Sequence, residues 1–449
     1  MSANNFRAIV IGGGPVGLTA AHALQRAGID FLLLERRPHV VIDAGSNLVL
    51  NPLGIRALAQ LDLAEPLNAV SSPLGEINRL DHNGRDIGDV HLFIQLAAIL
   101  GIAPRVISRH DLTRVLYDTL PAEAQQKLLG NKKLSEITPT ANGVVVTCAD
   151  GSSYEGSIVI GADGAHSLVR DLMRKLSLEK ASSEQVNAEH PFLTTYRALW
   201  VRFPRPTAIP VGTVSETHGT KLATQSFYGE ETGVIGAYER MEAPTTDRIR
   251  YSQEDQEALI KRWGHLPVSS GSVNLTLGDV YDSRLESGLV SLEEGVVENW
   301  SWNGRVTLAG DAAHKFTPST GAGCNNGMVD IVALVTELQT ICSKTSDSAL
   351  SSSAVDSAFR AYQSTRYNAV VSECAGASMA TAAATWQTVI HKFVDRRIIC
   401  RHAITKFLIS RGAKSAARST ALDSAASEPR GSAGQPFGAP TPGTLLRAH

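Results

Sequence analysis

The sequence predicts an α/β protein that combines a βαβ layer, a mixed β-sheet domain and C-terminal helices. Three observations predict this fold class. The first 35 residues alternate strand-like and helical patterns, residues 185–290 consist of short β-like runs separated by Pro, Gly and Thr, and residues 324–343 and about 354–411 carry helical patterns. Because a chain of 449 residues exceeds the usual size of one core, we expect two or more subdomains.

Composition and charge exclude several classes of function. A net charge of −2 gives no basis for nucleic-acid binding. The five cysteines are dispersed and form no C-x-x-C pair, which argues against a disulfide framework and a structural zinc site and favours a reducing, cytoplasmic compartment. The N terminus lacks the pattern of a signal peptide, and no apolar run is long enough to predict a membrane-spanning helix.

The N terminus predicts a strand, a helix and a second strand. Residues 7–12 (RAIVIG) form a short apolar run, and residues 15–27 place apolar groups at helical spacing. Residues 30–35 (DFLLLE) form another apolar run, which ends on an acid. Short apolar runs on both sides of a helix are typical of a βαβ unit with a buried parallel sheet.

A G-x-G-x-x-G motif at Gly12, Gly14 and Gly17 joins this first strand to the helix, and Glu35 ends the second strand. Gly12 permits the tight turn, Gly14 lets the backbone approach a pyrophosphate, and Gly17 lets the helix pack close to the strand. The phosphates would lie at the helix N terminus, and Glu35 would accept hydrogen bonds from a ribose diol. The alternative is a glycine turn with an exposed acid. The motif alone does not distinguish NAD from FAD.

Two further glycine-rich motifs lie downstream. GADGAHSLVR (161–170) follows a strand that comes after a predicted hairpin about Asp150-Gly151. GDAAHKFTPSTGAGCNNG (310–327) follows the buried strand RVTLAG (305–310). Each motif stands between a strand and a helix, as the N-terminal motif does. Three ordered motifs are far more specific than one.

Together these motifs resemble the three signatures of the single-component FAD-dependent aromatic hydroxylases, whose prototype is p-hydroxybenzoate hydroxylase. The resemblance covers roughly residues 1–345. The segments VGLTAAHALQRAGIDFLLLERR, SRHDLTRVL and VENWSWNGRVTLAGDAAHKFTP are most similar to a fungal branch that oxidises terpenoid, indole-terpenoid and prenylated indole-alkaloid intermediates. The resemblance implies a Rossmann-like FAD-binding domain with a mixed β-sheet substrate domain and C-terminal helices.

The pattern changes along the chain divide it into five parts. They are residues 1–184, the first part of the FAD-binding domain with a short substrate-domain excursion near 75–105; residues 185–290, the substrate-binding sheet; residues 291–345, the last part of the FAD-binding domain; residues 346–414, a C-terminal helical region; and residues 415–449, a disordered tail rich in Ala, Ser, Gly and Pro.

The resemblance implies a set of FAD contacts. Glu35 would bind the adenosine ribose, Arg109 would face the phosphates or the ribityl chain, and Asp311 would bind the ribityl hydroxyls. Val49 stands where relatives often carry Gly, and it would offer a main-chain contact. Asp163 lies in the motif that is thought to touch both FAD and reduced nicotinamide. The alternatives are a surface pair between Arg109 and its neighbour at position 111, and a helix-capping role for Asp163.

The glycine run before the last predicted helix would face the flavin ring. Bare N–H groups at Gly321 and Gly323 would meet the pyrimidine edge, where negative charge develops on reduction. Cys324 would lie next to the ring as a small space-filling residue, because no His/Asp pair accompanies it as a nucleophile would require. His314 is interpreted as a packed, hydrogen-bonded structural residue rather than a base.

Two residues of the substrate domain are candidates for catalysis. Arg197 matches an Arg that is proposed to protonate or steer the oxygenated species in the similar fungal enzymes, and Tyr228 would position the substrate. The alternatives are an ion pair of Arg197 with a nearby carboxylate and a half-buried strand aromatic for Tyr228. Because arginine stays charged, an electrostatic or hydrogen-bonding role is favoured over proton delivery.

These observations predict an NAD(P)H- and O2-dependent FAD monooxygenase that epoxidises or hydroxylates an apolar polycyclic substrate, as a monomer or dimer. The absence of a second G-x-G-x-x-G after a strand favours transient NAD(P)H docking. Three alternatives remain: an FAD-dependent reductase, a catabolic phenol hydroxylase and a non-enzymatic carrier with the same fold. Residues 398–409 form a short apolar and basic segment, for which core packing is favoured over contact with an internal membrane.

Overall fold

The computed structural model describes residues 6–42, 46–180, 186–269, 273–344 and 350–401. The predicted tail at 415–449 lies outside the described residues, as does most of the segment 398–409.

The described residues form 19 strands and 12 α-helices. The strands are β1 (Arg7–Ile11), β2 (Asp30–Leu34), β3 (Asn47–Leu50), β4 (Ser72–Pro73), β5 (Ile77–Asp81), β6 (Arg105–Ser108), β7 (Leu128–Leu129), β8 (Leu134–Pro139), β9 (Val144–Cys148), β10 (Ser153–Gly156), β11 (Ile158–Gly161), β12 (Leu193–Pro204), β13 (Val214–His218), β14 (Leu222–Tyr228), β15 (Thr232–Thr245), β16 (Glu286–Val296), β17 (Ser301–Trp302), β18 (Val306–Leu308) and β19 (His314–Lys315). The α-helices are α1 (Pro15–Arg26), α2 (Pro52–Ala59), α3 (Ala64–Ala69), α4 (Leu92–Leu100), α5 (Arg109–Asp118), α6 (Ala122–Gln125), α7 (Leu168–Glu179), α8 (Gln253–Trp263), α9 (Leu277–Asp282), α10 (Ala322–Lys344), α11 (Ser352–Ala384) and α12 (Val389–Val394). Short 3₁₀ turns cover Gly310–Ala312 and Pro318–Thr320, and a π-helical turn covers Asp395–Ile399.

The first large sheet has six strands in the order β17-β18-β11-β1-β2-β7. β1 pairs in parallel with β2 and β11, and the parallel pairing extends to β7 on one side and β18 on the other. Its strands are apolar and largely buried, as expected for a parallel sheet with helices on its faces. This arrangement confirms the predicted α/β layer and its Rossmann-like βαβ start.

The turn from β1 into α1 requires glycine at two positions. Gly12 has a φ of +107°, and a Cβ there would lie 2.5 Å from the carbonyl oxygen of Ala162. A Cβ on Gly17 would lie 1.9 Å from the carbonyl oxygen of Gly12. Both distances are far below van der Waals contact, so a side chain at either position would push α1 away from the sheet. These distances agree with the steric roles expected of the two glycines, and their contact with a cofactor stays a prediction.

The second large sheet has seven strands in the order β19-β16-β12-β15-β14-β13-β5. The sheet is mixed, because β5 pairs in parallel with β13 while all other neighbouring strands in the sheet pair antiparallel. β5 lies in the excursion predicted near 75–105, and it joins this second sheet. The predicted boundary after residue 290 falls inside β16.

One face of this second sheet is covered by α8 and α9, which the sequence interpretation did not include. The sequence does contain a pattern that predicts the start of α8, because Ser252 and Asp255 form a capping box there. Leu259 on α8 and Val280 on α9 pack against strand residues such as Leu199. The opposite face of the sheet turns towards α11.

The C-terminal helices are present as predicted, and the chain turns between two of them. The sequence pattern predicts that residues from about 354 to 411 are largely helical. In the structure α11 ends at Ala384, α12 follows at Val389–Val394, and residues 402–411 lie outside the described part of the chain. Trp386 has a φ of +44°, a value that no helix interior allows, so the chain turns there. α12 and the π-helical turn then bring Asp395 back onto β5 and β13.

Candidate functional site

The carboxylate of Glu35 lies against the glycine turn after β1. Its Oε2 accepts a hydrogen bond from the Gly13 N–H at 2.6 Å, and its Oε1 accepts two from Arg37, from the main-chain N–H at 3.0 Å and from Nε at 2.8 Å. Burial alone would raise the pKa of Glu35, but the bonds from Arg37 and Gly13 hold it below its ordinary value. A carboxylate offers about four lone-pair positions, so one remains for a ribose hydroxyl.

Arg109 faces the start of α1. A Cβ on Gly14 would lie 3.8 Å from Nη2 of Arg109. Asp111 pairs with Ser108 and Arg114 instead of Arg109, so the predicted alternative of a surface pair is not what the structure shows. Within the described ranges, the exposed guanidinium of Arg109 has no hydrogen-bond partner. The guanidinium of Arg109 therefore lies beside the N terminus of α1, which has no side-chain cap. Such a place can bind a phosphate.

Asp163 holds the second motif together. Its Oδ1 accepts a hydrogen bond from Ser167 Oγ at 2.5 Å, and its Oδ2 accepts one from the Val169 N–H at 3.1 Å. A Cβ on Gly12 would lie 2.9 Å from the Cα of Asp163, so this motif touches the first glycine turn. Both oxygens thus serve the start of α7, as in the predicted alternative. The role of Asp163 towards FAD and nicotinamide stays a prediction.

Asp311, Gly323 and Cys324 meet beyond the end of β18. Asp311 Oδ1 lies 3.7 Å from the position of a Cβ on Gly323. Burial raises the pKa of the Cys324 thiol to about 12, while the nearby charges of Arg109 and Asp311 act on it in opposite directions. The thiol therefore stays protonated near neutral pH, which agrees with a space-filling residue rather than a nucleophile.

A buried charge network fixes the third motif. The carboxylate of Asp330 on α10 accepts hydrogen bonds from the Gly310 N–H at 3.1 Å and from Arg366 Nε at 2.8 Å, and it bonds His314 Nε2 at 2.5 Å. Burial would raise the pKa of Asp330, but His314 and Arg366 lower it. The network holds the turn that carries Asp311. No sequence signal pointed to Asp330 or Arg366, because their partners lie on other elements.

Val49 contacts Gly321 through the side chain of Asn325. Asn325 Nδ2 donates to the main-chain carbonyls of Val49 and Gly321, at 2.7 Å each, and its Oδ1 accepts a hydrogen bond from the Asn51 N–H at 3.0 Å. Gly321 has a φ of +63°, and a Cβ there would lie 3.2 Å from the Cβ of Val49. The departure from Gly at position 49 is accommodated, and Asn325 sets the position of both backbones.

The hydrogen-bond donors and acceptors on this surface fit FAD. The open start of α1 with Arg109 would hold the pyrophosphate, Glu35 the ribose and Asp311 the ribityl chain. The start of α10, at Gly323, would face the ring. Arg170 Nη1 donates to the Ala312 carbonyl at 3.0 Å and so ties the second motif to the third.

A cavity of about 760 Å³ lies between the second sheet and the Val49–Gly321 contact. Its wall is largely apolar. It includes Leu92, Phe93 and Leu96 of α4, Ala223 and Phe227 of β14, and Ala380 of α11. One wall of this cavity is the face of the second sheet that α8 does not cover. An apolar cavity beside a cofactor surface is the arrangement expected of a substrate site.

Arg197 and Tyr228 do not line this cavity, which corrects the location predicted for both. Arg197 forms an ion pair with Glu239 at 2.7 Å on the face covered by α8. Tyr228 is fully buried on the same face and packs edge-on against Phe203. Successive strand residues point to opposite faces, so Tyr196, one position before Arg197, turns towards α11 and contacts Thr385 instead.

The sequence interpretation missed a cluster of charges in the cavity wall, the Glu216 cluster, formed by Arg79, Glu216, His218 and Asp395. His218 Nε2 lies 3.0 Å from Glu216, and its Nδ1 lies 3.0 Å from Asp395. Arg79 pairs with Asp395, and Trp386 Nε1 donates to Asp395 at 2.8 Å. The four residues come from β5, β13 and the π-helical turn, so no local pattern could reveal them.

Comparison with known proteins identifies the family. A family model described as "FAD binding domain" matches residues 5–366. The chain belongs to the family of FAD-dependent monooxygenases. It is 31% identical over 371 residues to the FAD-dependent monooxygenase verC1 of Penicillium polonicum, covering 80% of this chain and 45% of that protein. It is 31% identical to the FAD-dependent monooxygenase DEP2 of Fusarium langsethiae, covering 80% of this chain and 69% of that protein.

Solved structures share the fold of this monooxygenase. Klebsiella pneumoniae HpxO complexed with FAD and uric acid aligns with a TM-score of 0.71 at 20% identity, over 94% of this chain and 98% of that one. FqzB aligns with a TM-score of 0.67 at 19% identity, over 92% and 96%. The predicted family and fold class are therefore confirmed, and FAD is the cofactor. Among the described helices, none is long and apolar enough to cross a membrane.

Proposed function

We propose that this monooxygenase uses NAD(P)H and O2 to hydroxylate or epoxidise an apolar polycyclic substrate of the terpenoid or indole-alkaloid type. The observation that carries the proposal is the largely apolar cavity of about 760 Å³ beside the FAD surface. Pockets of this size bury most of the surface of a drug-sized molecule. The named relatives are fungal FAD-dependent monooxygenases, which supports the same reaction class.

When bound, FAD would supply the redox chemistry that links NAD(P)H to O2. The residues of this chain position the ring and keep water away from it. The start of α10 at Gly323 would place N–H groups where the reduced ring carries negative charge. The apolar side chains of α4 and β14 would exclude water from the face of the ring where substrate binds.

We also infer a cytoplasmic location. All five cysteines are free, and four of them are partly exposed, as is common in a reducing compartment.

The test is substrate-stimulated oxidation of NADPH by the purified yellow holoprotein, with a panel of prenylated indoles, meroterpenoids and simple phenols. We expect the polycyclic and prenylated compounds to stimulate NADPH oxidation several-fold. Stimulation by simple phenols alone would instead indicate a catabolic hydroxylase. NADPH oxidation that consumes no O2 would indicate a reductase.

A pair of variants on α11 shows whether the cavity holds the substrate. Ala380 lines the cavity, whereas Ala375 on the same helix is exposed to solvent. Ala380→Leu should raise the KM for polycyclic compounds, because the added methyl groups occupy space the substrate needs. Ala375→Leu should leave KM unchanged, and an equal effect of both variants would contradict this assignment of the cavity.

A further inference from the structure

The sheet side of the cavity exposes one carboxylate of the Glu216 cluster. The side chain of Glu216 keeps 14% of its surface accessible, whereas those of Arg79 and Asp395 keep 1% each. Glu216 is also one of the residues that line the cavity. Glu216 is therefore the most accessible member of the cluster on a mostly apolar wall.

The charge of Glu216 is fixed by its neighbours. Both ring nitrogens of His218 face carboxylates at 3.0 Å, an arrangement that favours the imidazolium form in which both carry a proton. Arg79 lies 4.0 Å from Glu216 and pairs with Asp395. Two cations thus balance two carboxylates, which is the condition for keeping a buried carboxylate ionised.

Glu216 retains hydrogen-bonding capacity towards the cavity. Its Oε1 accepts one hydrogen bond, from Gln225 Nε2 at 2.7 Å, and its Oε2 bonds His218. About four lone-pair positions are available on a carboxylate, so part of the acceptor capacity is unused. Gln225 is itself held by the Tyr238 hydroxyl, which donates to its Oε1 at 3.4 Å, and by the Ser319 carbonyl, which accepts from its Nε2 at 3.3 Å.

We propose that Glu216 is a substrate-binding carboxylate that accepts a hydrogen bond from an O–H or N–H group on an otherwise apolar substrate. The proposal rests on the proposed function, since it assigns a recognition group to the same cavity. Ser319 lies just before Gly321, so the donor group would be anchored near the loop that enters α10. The substrate class is thereby narrowed to apolar polycycles with at least one hydrogen-bond donor, such as a free indole N–H or a hydroxyl.

The experiment compares 3-prenylindole with its N-methyl derivative, which cannot donate. Binding to the holoprotein is followed through the change in flavin absorbance. We expect the wild-type protein to bind the N–H compound at least tenfold more tightly, because a hydrogen bond to a charged group has about that worth. Glu216→Gln should lose most of this preference while it binds the N-methyl compound as before. Glu254→Gln, an exposed carboxylate on α8, is the matched control and should keep the full preference.

Glu216→Asp is the second variant, because it keeps the charge balance of the cluster and withdraws the carboxylate by one methylene. It should show a reduced preference for the N–H compound. Full preference in Glu216→Gln or in Glu216→Asp, or no preference in the wild-type protein, would overturn the proposal. If both compounds stimulate NADPH oxidation equally, the proposed function stands and the role of Glu216 fails. If no compound of the panel stimulates it, the proposed function itself fails.

Discussion

Asp311 shares a small space with Arg109, Gly323 and Cys324. The carboxylate lies 3.7 Å from where a Cβ on Gly323 would be, and its charge and that of Arg109 both reach the Cys324 thiol. The turn that carries Asp311 is held by the buried Asp330 network. A pre-positioned carboxylate of this kind can bind sugar hydroxyls without reorganising on binding.

Asp311→Ala should therefore lose FAD during purification, with retention at least tenfold weaker because a hydrogen bond to a charged group is removed. The readout is the ratio of flavin absorbance to protein absorbance after gel filtration, with circular dichroism to confirm the fold. Asp311→Asn, which keeps an oxygen acceptor, should retain more FAD. A fully yellow Asp311→Ala protein would contradict this role.

Arg197 lies on the face of the second sheet opposite the cavity, because successive residues of a strand point to opposite faces. The sequence TTYRALW does not reveal which face of β12 turns towards the cavity, since both faces of this strand are covered. The structure pairs Arg197 with Glu239 and places its guanidinium over the ring of Tyr251. An ion pair on this face has no access to a substrate in the cavity.

Arg197→Ala should accordingly keep its FAD and keep kcat within about twofold, because the effect of a partly exposed ion pair is usually small. The assay is substrate-stimulated NADPH oxidation together with product yield. A yellow protein that makes no product would restore the catalytic role predicted from the sequence.

At the level of elements, we propose that the start of α10 faces the flavin ring. Gly323 lies in the first turn of this helix, and a Cβ there would meet its nearest neighbours at 3.7 and 3.8 Å, which is ordinary contact. The protein itself therefore leaves room for a methyl group at this position. Only a bound ring would make that methyl group unfavourable.

Gly323→Ala should have opposite effects on folding and on FAD binding. The apoprotein should gain up to about 1 kcal/mol in free energy of unfolding, because alanine favours the helix. FAD affinity should fall at least tenfold. Gly376→Ala on α11, where a Cβ meets nothing within 4 Å, is the control and should raise stability without changing FAD affinity. Equal FAD affinity in the two variants would count against the placement of the ring.

The elements that the sequence predicted best are those set by local rules. β1, α1, β2 and the glycine turns follow from short-range periodicity and steric limits, and the hairpin of β9 and β10 follows from Asp150-Gly151. The turn between α11 and α12 could not be predicted, because the helical pattern continues past Thr385 and only tertiary contacts of Trp386 and Asp395 show where the chain turns.

At the level of the whole molecule, the Glu216 cluster fastens the C-terminal segment over the cavity. Arg79 and Asp395 are 316 residues apart in sequence, and His218 and Asp395 are 177 apart. Contacts at such separations cannot be read from periodicity or spacing, which is why the sequence interpretation placed the chemistry elsewhere on the same sheet. The glycine motifs, in contrast, could be recognised because their glycines are separated by fixed, short distances in the sequence.

The stability of this fastening should depend on pH in both directions. Burial lowers the pKa of His218, but Asp395 and Glu216 outweigh burial and raise this pKa above 6.5. The contribution of His218 to the free energy of unfolding is therefore complete below about pH 6.5 and is lost as pH rises through the raised pKa. Burial raises the pKa of Glu216 and Asp395, but His218 and Arg79 outweigh it and lower both, below 4.5 and 3.8. The contributions of Glu216 and Asp395 to the free energy of unfolding are complete above their ordinary pKa values and are lost as pH falls through their lowered pKa values.

Asp395→Asn should therefore lower the free energy of unfolding by about 3–5 kcal/mol near pH 6, since it leaves buried cations without a partner. It should also flatten the loss of stability on the alkaline side. The measurement is hydrogen exchange of residues 386–401 and thermal unfolding across pH. Asp62→Asn, which removes an exposed pair with Arg26, should leave the profile unchanged. An unchanged profile in Asp395→Asn would contradict the fastening.

We propose that the chain inserts oxygen from O2 into an apolar substrate held between the second sheet and FAD. The most direct measurement is mass spectrometry of the product made by the holoprotein with NADPH under oxygen gas enriched in oxygen-18. We expect one labelled oxygen atom per product molecule and one NADPH consumed for each. A product without the label, or NADPH oxidation that yields only a reduced substrate, would contradict the account.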